Sequence, residues 1–119
     1  MANRGDFAIG GVRIGPSIMF GESQFCMNEN NNFYGDCDMF TSRTLCTIAN
    51  VGKVNGLGSI TKIPNSGYAV QASVEVGHGY VIKASDGTYA RLYVVDWITY
   101  SGSGGIAGAK VKYQYPFEP

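Results

Sequence analysis

Charge is scarce in this chain: nine Lys or Arg and nine Asp or Glu among 119 residues cancel to a formal net charge of zero. No Lys/Arg cluster tracks a groove or a helix face, which argues against nucleic acid as a partner, since phosphate binding runs on concentrated positive charge. Apolar residues nowhere run to the ~18 needed to cross a bilayer as a helix, and Met1 is followed by Asn3, Arg4 and Asp6 in place of a signal-peptide core. The expectation is a soluble chain with no transmembrane segment. A trimmed precursor would read the same way.

Chemistry-bearing residues are as thin. His78 is the one histidine, and Cys26, Cys37 and Cys46 contain no C-x-x-C pair. A tetrahedral zinc site would have to be completed by carboxylates. In an oxidising compartment a Cys26–Cys37 disulfide would close an Asn-rich loop; the alternative is three small buried or half-buried thiols. Glu29, Asp36 and Asp38 flank that loop but lack the EF-hand spacing and its terminal Glu. Gly102-Ser103-Gly104-Gly105-Ile106-Ala107 matches G-x-G-x-x-A by letter, yet a strand pattern follows where a phosphate-binding helix would have to begin. No metal and no cofactor is expected. Arg4-Gly5-Asp6 falls in a terminus expected to fray over residues 1–5, so it reads as solvated tail.

What the chain does have is 17 Gly among abundant Tyr, Val, Ile and Thr, the mark of short strands joined by tight turns. Its length suits one domain, burying roughly 65% of its unfolded surface. Residues 7–14 read as a strand bent at Gly10-Gly11, 22–38 as a long irregular loop, and 45–51 as a strand. A single helical turn fits before Pro64. Val70, Ala72, Val74 and Val76 alternate with Gln71, Ser73 and Glu75, and Ala107, Ala109, Val111, Tyr113 and Tyr115 alternate with Lys110, Lys112 and Gln114, the mark of two strands each with one wet face. The fold class is all-β: a small antiparallel sandwich or SH3-like barrel of six to seven short strands.

Ser85-Asp86-Gly87-Thr88 carries the strongest local signal. Asp-Gly between two strand-like runs predicts a two-residue type I′ hairpin, with Gly accepting the positive φ. Pairing Ser85 with Thr88 sets Ile82 opposite Arg91 and Tyr80 opposite Tyr93, gathering Tyr80, Arg91, Tyr93 and Trp97 on one face. Such a face could stack on sugar rings while Arg91 supplies hydrogen bonds. The plainer reading is core, where aromatics at period two in a central strand usually belong.

Residues 49–64, Gly77-His78-Gly79-Tyr80-Val81, residues 89–97 and the ending 104–117 resemble a family of Bacteroides-type cell-envelope proteins, predicted lipoproteins of unknown function. The likeness covers the chain from about Thr44 onward. It implies a domain of the cell envelope or a secreted protein, without catalytic residues to carry over. The expected function is therefore a non-enzymatic envelope domain binding a glycan or a partner protein through the aromatic face. The alternatives are a small hydrolase using His78 with Asp96 or a cysteine, and a purely structural or assembly domain.

Overall fold

The computed structural model describes residues 3–10, 18–20, 23–27, 32–34, 46–84, 86–99 and 106–118. Among them are nine strands: β1 (Asn3–Gly10), β2 (Ile18–Phe20), β3 (Ser23–Met27), β4 (Asn32–Tyr34), β5 (Thr47–Lys53), β6 (Gln71–Ser73), β7 (His78–Lys83), β8 (Tyr89–Thr99) and β9 (Ile106–Tyr115). They form a five-stranded antiparallel sheet in the order β1-β9-β8-β7-β5 and a four-stranded antiparallel sheet in the order β2-β3-β4-β6. The fold is an all-β sandwich, with no closed barrel. The expected helical turn before Pro64 is a 3-10 turn at Leu57–Ser59.

Two segments carry more order than their composition suggests. Residues 3–5, expected as tail, pair with Tyr115, Gln114 and Tyr113 of β9, which sets the Arg4-Gly5-Asp6 tripeptide in an extended ladder. The stretch 22–38, expected as loop, contains β3 and β4. Fully buried Phe33 explains the latter, because its ring meets Tyr80 edge-on at 4.9 Å and so fastens β4 to the core. Cys37 and the Gly102–Gly105 tract lie outside the described residues.

The hairpin differs from its expected geometry by one residue. Lys83 pairs with Tyr89, Ile82 with Ala90, Val81 with Arg91, Tyr80 with Leu92 and Gly79 with Tyr93. The connection is a three-residue loop closed by Ala84 N donating to Thr88 O at 2.8 Å and Gly87 N to Ala84 O at 3.0 Å. Asp86 Oδ1 accepts from Thr88 N at 3.0 Å and Thr88 Oγ1 at 2.5 Å, a local bond that a two-residue turn would forfeit. Thr88's hydroxyl also holds the Asp86 carboxyl below the usual range. The decisive term is burial. The slipped register puts Tyr80, Ile82 and Ala84 with Ala90, Leu92 and Val94 on one face, all nearly inaccessible, and moves Arg91 to the other.

Gly87 keeps the role assigned to it, with φ at 88°. Gly87→Val should cost more than about 1 kcal/mol, since a β-branched residue resists that conformation. Urea unfolding checks this, and an unchanged midpoint would mean that the loop tolerates another path.

The core between the sheets contains Phe33, Cys46, Ile48, Val74, Tyr80, Ile82, Leu92, Val94, Ala109 and Val111, with Trp97, Tyr113 and Tyr115 packed at its margin. Tyr80 is anchored there by its hydroxyl, which donates to Ser73 O at 2.6 Å and accepts from Glu75 N at 2.9 Å. The opposite face of the larger sheet is covered in part. Val81, Ala49 and Ile60 are at most 3% exposed, yet stand outside the main core. Gly79 is the point of closest approach: a Cβ there would lie 2.7 Å from Ile60 Cδ1 and 3.0 Å from Val51 Cγ2.

Candidate functional site

The expected aromatic face is divided between the two sides of the sheet. Tyr80 is fully buried in the core. Trp97 returns to the core side because a bulge intervenes: Val94 pairs with Val111 and Trp97 with Ala109, so three residues of β8 span two of β9. Arg91 and Tyr93 lie on the outer side, opposite Gln114 and Lys112 of β9. The grouping of Tyr80, Arg91, Tyr93 and Trp97 rested on the two-residue turn and does not survive the one-residue slip.

Arg91 is not free to meet a ligand from solvent, being 3% exposed. Its Nε donates to Gln114 Oε1 at 2.7 Å, Nη1 to Ile60 O at 2.7 Å and Leu57 O at 3.2 Å, and Nη2 to Glu118 O at 3.1 Å. Phe117 lies over the guanidinium, 5.1 Å from ring centroid to Cζ. Gln114 Oε1 also accepts from Glu118 N at 3.1 Å. Gln114, expected on a wet face, is fully buried, and its Nε2 has no partner among the described residues. Arg91 thus ties the turn at 57–60 and the C-terminal segment 116–118 onto the sheet.

That tie assembles a different group of aromatics. Tyr89, two residues before Arg91 on the same face, holds Phe117 through Phe117 N donating to Tyr89 O at 2.8 Å. Tyr68 approaches Tyr89 with ring centroids 6.3 Å apart and planes tilted by 54°. The Tyr68 hydroxyl donates to Pro64 O at 2.9 Å, which fixes its ring, and partial burial followed by the neighbouring Tyr89 pushes its phenol pKa up. All three rings are half-buried, and exposed Lys83 sits opposite Tyr89. Tyr68 and Phe117 escaped the sequence reading because they come from irregular segments that no periodicity places. The aromatic placement in Pro64-Asn65-Ser66-Gly67-Tyr68 and Tyr115-Pro116-Phe117 was the available signal.

His78 stands elsewhere, at the start of β7. Its Nδ1 lies 3.0 Å from Asn50 Oδ1 and 3.5 Å from Glu75 Oε2. No hydroxyl or thiol among the described residues is hydrogen-bonded to it. Cys46 is fully buried and its thiol is pushed up to about 12 by burial, which suppresses the thiolate. Asp96 is exposed and accepts from Trp97 N at 2.8 Å. Among the described residues no three His, Cys, Asp or Glu side chains converge as a metal-holding group, and no helix is long and apolar enough to cross a membrane.

Comparison with protein-family models, with curated proteins and with solved structures finds no match to this chain.

Proposed function

We propose that this domain is a non-catalytic binding module of a bacterial envelope protein, and that it takes a glycan on the outer surface formed by Tyr68, Tyr89 and Phe117. The tilted Tyr68–Tyr89 pair carries the reading, with centroids 6.3 Å apart. Two half-exposed rings meeting at an angle offer a shallow cradle for the C–H face of a sugar, and Lys83 beside them supplies donors for hydroxyls. The envelope setting rests on the family resemblance.

A glycan array followed by calorimetry tests this. The wild-type domain should bind, Tyr89→Ala should weaken binding by about tenfold or more, equivalent to about 1.4 kcal/mol, and Tyr93→Ala should leave it unchanged. Failure to bind any glycan, or binding indifferent to Tyr89→Ala, would overturn the assignment.

A further inference from the structure

We propose that Asn50 Oδ1, Glu75 Oε2 and His78 Nδ1 form a binding site for a first-row divalent transition cation of the Zn2+ type. The proposal is independent of the glycan surface and uses different residues. Bonds of about 2.1 Å place neighbouring donors about 3.0 Å apart around an octahedral ion and about 3.4 Å apart around a tetrahedral one. His78 Nδ1 lies 3.0 Å from Asn50 Oδ1 and 3.5 Å from Glu75 Oε2, bracketing those spacings. Asn50 Nδ2 donates to Glu75 Oε2 at 3.3 Å, which keeps the amide and the carboxylate adjacent, and the cation takes the place of this donor at Oε2. Imidazole nitrogen with amide and carboxylate oxygens is a borderline-hard set, suited to such an ion with water completing its shell.

Each donor is held by the backbone around it. Asn50 sits at a register shift in β5, and Gly52 N donates to its Oδ1 at 2.8 Å. This bond identifies the atom turned toward His78 as oxygen, and the second lone pair of that oxygen remains for a cation. Glu75 is placed by its own N–H on the buried Tyr80 hydroxyl, 2.9 Å away. His78 N donates to Glu75 O at 3.2 Å across the turn, while His78 pairs with Lys53 next to the bulge. The three donors therefore come from a bulge, a turn and a strand start that are already fastened together. The cation takes the Nδ1 lone pair of the neutral imidazole, whose single ring proton then stands on Nε2; an Nδ1–H tautomer passes that proton to Nε2 through solvent, with no net release.

A sole histidine makes the test direct. Zn2+ is titrated into tag-free 15N-labelled protein with its reactive thiols alkylated, and the His78 ring nitrogens are followed by NMR. The expected result is a saturable shift assigned to metal on Nδ1, a higher Tm, and at least tenfold weaker binding in both Glu75→Gln and His78→Gln. Glu75 is exposed, so its isosteric variant keeps the fold. Absence of a shift, metal on Nε2, or Zn2+ affinity indifferent to Glu75→Gln would each overturn the site.

Discussion

Arg91→Ala is expected to destabilise the domain by about 3 kcal/mol or more, because it removes a buried charged donor set and strips a donor from each of its four acceptors. In the folded protein the guanidinium serves Gln114 Oε1, Ile60 O, Leu57 O and Glu118 O at once. Those acceptors come from the 3-10 turn region and from the run of β9 into the C-terminal segment, two pieces of chain distant from Arg91 in sequence. The aliphatic stem adds packing against the outer face, so alanine also leaves a void where the residue was 3% exposed. Arg91→Lys should recover less than half of the loss. A lysine ammonium preserves charge but lacks the planar fork that reaches several carbonyls in fixed directions.

Urea unfolding measures the global effect, and amide exchange locates it. Phe117 N and Glu118 N, bonded to Tyr89 O and Gln114 Oε1, should lose protection in Arg91→Ala before the amides of β7 and β8 do. A loss below about 1 kcal/mol, or unaltered exchange at Phe117 and Glu118, would show that the segment is held on the sheet without Arg91.

How far the sequence was legible follows from the same residue. Strand periodicity and turn composition were enough for an all-β sandwich, because alternation and glycine-rich turns are local signals. The hairpin between β7 and β8 was legible too, but not its register: Asp-Gly favours a two-residue turn locally, while sorting Tyr80, Ile82, Leu92 and Val94 to one side is a property of the whole sheet. Burial decided, and a one-residue slip carried Arg91 and Tyr93 to the face opposite Tyr80. The bulge near Val95 then sent Trp97 to the core side, another shift that alternation cannot register. The Tyr68–Tyr89 pair depends on contacts between a loop and a strand. The Asn50–His78 approach was equally hidden, since it spans a bulged pair of strands. Alternation misjudged Gln114, whose side chain is buried as an acceptor for Arg91.

Stability is also expected to fall steeply in alkali, through Cys46 and Tyr80. Both side chains are fully buried in the main core. Burial pushes the Cys46 thiol from its ordinary 9.0 up to about 12. Tyr80 rises from 10.0 to about 12, chiefly by burial, with the Glu75 N–H opposing and the Glu75 charge adding to the rise. An unfolded chain would release these protons near the ordinary values, whereas the folded chain retains them. Between those limits the unfolded state binds fewer protons, so unfolding becomes easier as pH rises. The stability contribution is complete below pH 9 and is lost progressively toward 12. At about 1.4 kcal/mol per unit for each group, raising pH from 8 to 11 should remove roughly 4 kcal/mol, the larger share through Cys46. Urea unfolding under reducing conditions at the two pH values measures the difference. Cys46→Ala should flatten most of the slope and Tyr80→Phe the remainder above pH 10, each variant starting from lower stability at pH 8. A wild-type slope near zero, or one untouched by both substitutions, would mean that neither proton is retained by the folded core.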